Sequence, residues 1–176
     1  ACTCTSLQPS ERKDMKPIPS FWRIKELLHY DQETGIFRWR WRHHGRVRKN
    51  LIAGTVHKFG YLKISVDGFT HMAHHLAWLY VHETWPEMID HKNLDRLDNR
   101  IDNLRLANCS QNVANSVVRK SSKSGVKGVQ WHQNRWVARI RKNGQNKYLG
   151  RFKSIEEASE AYRAAAEKLH GDFARV

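Results

Sequence analysis

The chain has 176 residues, with 31 Lys and Arg against 17 Asp and Glu, a formal net charge of +14 and a pI of about 10.1. No apolar run approaches the roughly 18 residues of a membrane span, and the N-terminus lacks the apolar stretch of a signal peptide, so the polyanion this charge attracts is nucleic acid rather than a membrane. Cys2, Cys4 and Cys109 are odd in number and form no CxxC pair; neither a disulfide framework nor a cysteine zinc site is supported, and a reducing, cytoplasmic setting is expected.

Residues 1–19 do not begin with Met and read as a disordered leader or a fragment boundary. In "SFWRIKELLHY", residues 20–30, Phe21, Ile24, Leu27 and Leu28 recur at helical spacing behind a serine cap, which predicts a short helix. "DQETG" breaks it. The runs "IFRWRW", "IAGTVH" and "YLKISV", punctuated by Gly35, Gly54, Gly60 and Gly68, predict one small antiparallel sheet. "MAHHLAWLYVHE" returns to helical periodicity, with Trp85 and Pro86 ending it. The polar "LANCSQNVANSV" is a candidate helix, and "RKSSKSG" is a basic connector with no apolar residue to bury.

The C-terminal part is the most legible. In "NRWVARIRKNGQNKYLGRF" two alternating runs flank Asn143-Gly144, a dipeptide suited to the positive φ angles of a type I′ turn. "SIEEASEAYRAAAEKLHG" follows with a capping box, Ser154 and Glu157, and a C-cap at Gly171. Ile155, Ala158, Tyr162, Ala165 and Leu169 form one apolar stripe, which predicts packing on the strand face of Trp136, Ala138 and Ile140. Arg135, Arg139 and Arg141 then leave the opposite face, available to phosphates and base edges.

Charge is distributed unevenly. Eleven basic residues and no acidic ones lie between Val117 and Lys153, while six acids fall between Glu83 and Asp102. Within "IDHKNLDRLDNRIDNL", residues 89–104, Asp90 and His91 are adjacent. Phosphodiester hydrolysis needs a water, a base for its proton and positive charge on the phosphate. A hard cation such as Mg²⁺ takes few protein oxygens and keeps waters, so one carboxylate and an amide such as Asn112 suffice. The competing reading is a solvated Asx-rich turn. His43-His44 and His74-His75 lack ligand-spaced partners and read as packing or phosphate-facing residues, and "RWRWR" as a half-buried strand with a basic face. Spacing alone leaves both readings of the loop open.

The run "AHHLAWLYVHETWPEMIDHKNLDRLDNRIDNLRLANCSQNVANS", with "YDQETGIFRWR" and "GYLKISVDG" upstream, resembles the HNH endonucleases of phages and mobile introns. "GVKGVQWHQNRWVARIRKNGQNKYLGRFKSIEEASEAYRAAAEKLHGDFA" resembles the ethylene-response-factor (AP-two type) DNA-binding domain, which also occurs appended to phage HNH nucleases. The resemblance implies an α+β fold: an HNH ββα-metal nuclease domain over residues 20–116, a basic linker over 117–124, and over 125–176 a three-stranded antiparallel sheet packed on one helix. It implies that Asp90 and Asn112 bind one divalent ion, Mg²⁺ or another such as Mn²⁺. It makes His91 the general base and Asn103 the residue that bonds within the loop to hold His91. Asp95 and Asp98 shape the loop. In the second domain it places Gln130, His132, Arg139, Arg141 and Tyr148 on a DNA-facing sheet, with Arg135 and Lys147 touching phosphate. The implied protein is a homing-type endonuclease on double-stranded DNA, with no membrane and no obligate protein partner. Five positions depart from the pattern: Leu94 stands where HNH members carry Gly, His75 where they carry Arg and Asn112 where they carry His, a variant the family tolerates, while plant sheet domains carry an acid where Arg139 stands and Arg where Gln130 stands. The alternatives are a DNA-binding regulator with an inactive HNH fold and, since basic aromatic sheets also stack single-stranded bases, an RNA-binding protein.

Overall fold

The computed structural model describes residues 17–40, 51–119 and 121–175. It is a mixed structure with four α-helices among the described residues and four small antiparallel sheets. The chain divides into two compact units, Ala1–Leu106 and Ala107–Val176. None of the described helices is long and apolar enough to cross a membrane.

In the first unit, α1 (Phe21–Leu27) begins at Ser20, whose side chain accepts a hydrogen bond from the Arg23 amide. It ends three residues before Tyr30. Leu28–Tyr30 instead extends as β1 and pairs antiparallel with β2 (Phe37–Trp39). Leu28 and Tyr30 are buried with His29 exposed between them, so the period-two pattern wins over the helical one once the chain meets a partner strand. The turn between the strands is closed by the Asp31 carboxylate, which accepts from the amides of Glu33 and Thr34 and from the Thr34 hydroxyl. Gly35 ends it at φ +72°, and a Cβ there would lie 2.6 Å from the Asn99 carbonyl carbon. Only glycine lets this turn press against the loop that follows His91.

β3 (Thr55–Val56), β4 (Leu62–Val66) and β5 (Phe69–Met72) form a meander in the order β3-β4-β5. The runs expected as one sheet therefore belong to two, β2 to one and β3 and β4 to the other. β5 was hidden in the sequence by the helical pattern that follows it; the turn before it is Asp67-Gly68, both at positive φ. α2 (Ala73–His82) ends at Glu83 in the left-handed conformation, ahead of Trp85 and Pro86. Ile24, Leu28, Phe37, Ile64 and Leu76 are the large side chains at the centre of this unit's core. β6 (Ile89–His91) and β7 (Leu104–Leu106) pair antiparallel, with a 3-10 turn over Ile101–Asn103 leading into β7. Trp41, Arg42, His43 and His44 lie outside the described residues.

The second unit starts ten residues ahead of the boundary expected after residue 116, because it includes α3 (Cys109–Asn115). This helix carries a full capping box between Asn108 and Gln111. Lys127 donates through Nζ to the carbonyls of Ala114 and Ser116 at its C-terminal end. Ser110 accepts from the Asn143 amide at 3.1 Å. A lysine beyond "RKSSKSG" thus ties the helix to the domain that follows it, a contact that no local pattern announces.

β8 (Val129–His132), β9 (Arg135–Lys142) and β10 (Gln145–Phe152) form a sheet in the order β10-β9-β8, and α4 (Ile155–His170) packs on it. Asn143 and Gly144 take φ +49° and +82°, the left-handed pair that the dipeptide predicts. At the start of α4 the Ser154 hydroxyl accepts from the Glu157 amide, but Glu157 reaches back to the amide of Lys153 rather than of Ser154. Ala158, Tyr162 and Ala166 bury against Val129, Ala138 and Ile140.

Candidate active site and nucleic-acid face

β6 holds the adjacent Asp-His pair. All three of its residues are buried: Ile89 by its apolar side chain, Asp90 with 4% of its surface exposed and His91 with 5%. Asp90 is the one buried acid among the described residues. Its register partner on β7 is Arg105, whose Nε and Nη2 both donate to Oδ2, at 2.9 and 2.8 Å. The guanidinium thus supplies a buried partner for the buried carboxylate.

His91 lies against aromatic and imidazole rings. The His74 ring stands edge-on to it with centroids 5.0 Å apart, and the Tyr61 ring lies at 6.1 Å. Burial pushes the His91 pKa below its usual value, while the Asn99 side chain and the carboxylates of Asp90, Asp98 and Asp95 pull it the other way. The result is an imidazole that stays neutral at pH 7 and can accept a proton. His74 is more extreme, with its pKa lowered to about 2 by burial and by His75 and His91 beside it.

The segment from Lys92 to Asn103 is a connected set of Asx turns. Asn103 accepts the Asn93 amide on Oδ1 and donates Nδ2 to the Asp98 carbonyl. The Lys92 amide donates to the Asn103 carbonyl. Asn93 accepts the Asp95 amide, and Asp95 the Leu97 amide. Asp98 is bonded by Asn93 and doubly by Arg100, and these bonds hold its pKa down at about 2. Tyr30 donates its hydroxyl to the Asn99 carbonyl at 2.6 Å, tying the loop to the core. Leu94 takes φ +69°. The turn after His91 therefore keeps a conformation suited to glycine, and the leucine absorbs the strain of about 1–2 kcal/mol.

Among the described residues no three His, Cys, Asp or Glu side chains gather as a metal cage. One buried carboxylate beside a neutral imidazole instead fits a hard cation that retains most of its waters. Asn112 sits on α3 in the second unit, and Asp90, His91 and Asn103 in the first. Sequence reasoning gave no role to Arg105, Asn99 or Tyr61, and read His74 as a packing or phosphate-facing residue; it is buried against Tyr61 and His91. The β6–β7 register was the signal for Arg105; the other three are brought in by tertiary packing.

In the second unit, strand register sorts the expected contacts. Gln130 pairs with Val137, His132 with Arg135, and Tyr148 with Arg139. Gln130, His132, Arg135, Arg139, Arg141 and Tyr148 thus share the sheet face away from α4, and all are exposed. Lys147 does not. Its partner is the buried Ile140, which places it on the α4 side of the sheet, because side chains alternate and its neighbour Tyr148 already points the other way. Arg151, opposite Val137 across the bulge after Tyr148, joins the exposed face in its stead.

Residues 71–114 match the HNH endonuclease family, so the match covers β6, the Asx loop, β7 and nearly all of α3. Protein 3.8 of Escherichia phage T7 is 36% identical over 89 residues, which are 49% of this chain and 73% of that protein. A protein of Acanthamoeba polyphaga mimivirus, named as an uncharacterized HNH endonuclease, is 37% identical over 87 residues, 49% of this chain and 44% of its own length. No solved structure matches the chain. The family match lies across the buried Asp-His pair, so residues 71–114 carry an HNH endonuclease domain, the domain of a DNA nuclease, in a chain related to phage Protein 3.8 over most of that protein's length.

Proposed function

We propose that the protein is a divalent-metal-dependent endonuclease of double-stranded DNA, in which residues 20–116 supply the cutting residues and the exposed face of the β8–β10 sheet anchors the enzyme on its target. The observation that carries this reading is the buried pair on β6, the Asp90 carboxylate next to the His91 imidazole, whose pKa burial lowers. His91 takes the proton from the attacking water. Asp90 holds the cation, and Asn112 adds an amide oxygen, a role that rests on the resemblance alone. Bound there, Mg²⁺ or Mn²⁺ supplies the positive charge that the scissile phosphate and its leaving oxygen need. Asn103, through its bonds to Asn93 and Asp98, holds the loop against which His91 is set. The homing-type role and the AP-two type assignment of the second unit belong to the same proposal, supported by the exposed row of Gln130, His132, Arg135, Arg139, Arg141 and Tyr148.

One observation favours a second reading. The Asp90–Arg105 pair neutralises the carboxylate without any metal, as in a DNA-binding regulator that no longer cuts. Incubation of the purified protein with supercoiled plasmid, in Mg²⁺ and in EDTA, separates the two. Nicked or linear product in Mg²⁺ alone is expected; plasmid that stays supercoiled in both buffers would leave the regulator.

A further inference from the structure

The loop after His91 is crowded with acids, and its cations are distributed among them unevenly. Arg100 takes Asp98 at 2.7 Å and Arg105 takes Asp90 at 2.8 Å. Asp95 caps the Leu97 amide. Arg96 takes none of them, and among the described residues its guanidinium forms no ion pair although Asp95 is its chain neighbour. It is nevertheless held from two directions. Nη1 donates to the Phe59 carbonyl at 2.7 Å, and the guanidinium lies over the Tyr61 ring, 4.7 Å from its centroid. Tyr61 in turn packs its ring 5.4 Å from His74 and 6.1 Å from His91.

A solvated surface arginine has no reason to be fixed in this way, because immobilising a long side chain costs rotamer entropy that water does not return. The stacked face and the single carbonyl bond fix the plane of the group. They occupy few of its five N–H donors, so most of a flat, charged fork is left exposed and aimed by a neighbour of the general base. The turn that supplies the carbonyl is built for exposure as well. Gly60 takes φ +80°, its amide donates to the His57 carbonyl, and Phe59 is left 59% exposed with Lys58 Nζ 5.0 Å from its ring. A basic turn with an exposed aromatic ring and a pre-set arginine fits a phosphate strand and the bases it carries.

We propose that Arg96, stacked on Tyr61 and pinned by the Phe59 carbonyl, binds a phosphate of the strand being cut, at or next to the group that His91 addresses, and so sets that strand in register with the base. This rests on the reading of His91 as a phosphodiesterase base, so the test separates the two. In a His91→Ala background the full chain binds a duplex in EDTA without cutting, and affinity is followed from low to high salt. Arg96→Gln should flatten the slope of log affinity against log salt by about 0.9, the share of one phosphate. Arg96→Lys should keep the slope, and on the His91 parent should still lower kcat more than it raises KM, since a point charge lacks the fork. Arg23→Gln is the control, because Arg23 is already paired with Glu26 and Asp67; it should leave the slope unchanged. An unaltered slope in Arg96→Gln, or an equal change in Arg23→Gln, overturns the proposal. A flattened slope in a protein whose parent never cuts plasmid would keep the phosphate contact and remove the nuclease reading instead.

Discussion

Asp90 and Arg105 face each other across the β6–β7 pair, and the guanidinium donates through two nitrogens to one carboxylate oxygen, at 2.9 and 2.8 Å. With Asp90 4% exposed and the Arg105 side chain 14% exposed, this pair is buried within the first unit. Removing one partner of a buried pair leaves an uncompensated charge and costs about 3–5 kcal/mol. Arg105→Met should therefore lower stability in EDTA by that order, measured by urea unfolding. Added Mg²⁺ should restore more stability to the variant than to the parent, because Asp90 then has a cation again. A variant as stable as the parent in EDTA would show that the pair is not the carboxylate's main support.

His91→Ala should reduce cleavage by about 10²–10⁴ and leave DNA affinity nearly intact, since a base acts on the water and not on docking. Asp90→Ala and Asn112→Ala should each raise the Mg²⁺ concentration needed for half-maximal cutting, read from a metal titration of plasmid nicking. Parental nicking by His91→Ala would remove it from the mechanism, and full activity in EDTA would remove the metal.

Leu94 at φ +69° predicts a contrast between substitutions. Gly adopts this region at no steric cost, and a β-branched residue resists it most. Leu94→Val should be at least about 1 kcal/mol less stable than Leu94→Gly, and Leu94→Gly should cut at least as fast as the parent. Equal stabilities of the two variants would mean that the turn is not held left-handed in solution.

Acid should weaken the first unit through His74. Its pKa falls from 6.5 in the unfolded chain to about 2 when buried beside His75 and His91, so the unfolded state binds the extra proton. The stability it contributes is complete above pH 6.5 and is lost progressively as pH falls below that value, by about 1.4 kcal/mol per pH unit. Unfolding free energies measured between pH 7.5 and 5 should show this loss in the parent and a shallower one in His74→Asn. Parallel profiles would place the proton elsewhere.

The second unit should fold alone when residues 107–176 are expressed, and bind duplex DNA without cutting it. The fragment starts ahead of α3 because Lys127 and Asn143 hold that helix. Once circular dichroism shows it folded, Arg139→Ala and Arg141→Ala should weaken binding. A phosphate contact lowers the salt slope by about one unit for all sequences; a guanine contact costs about 1–3 kcal/mol on the preferred site alone. Lys147→Ala, on the other side of the sheet, should matter less than either. Affinity untouched by both arginine changes would mean that the exposed face does not bind DNA.

What the residue order determined by itself is what local chemistry can decide. Asn143-Gly144 imposes its own turn, Ser154 caps the helix that its stripe describes, and the Asn and Asp side chains between Asn93 and Asn103 bond their near neighbours. The turn, the cap and the bonds from Asn93 to Asp95 and Asp95 to Leu97 are settled within two or three residues, so the spacing is enough to read them; the Asn93–Asn103 bond closes the loop across ten. Tertiary structure decided the rest, because it depends on partners distant in sequence. Leu28–Tyr30 became a strand only once β2 was beside it, and β5 separated from α2 only once β4 could pair with it. Arg105 reached Asp90 through strand register, His74 and Tyr61 came to His91 by packing, and α3 joined the second unit through Lys127. The charge of Arg96 was visible in the sequence throughout. That it stands stacked on Tyr61 and apart from every acid of its own loop depends on a ring 35 residues earlier in the chain, which only the folded backbone brings beneath it.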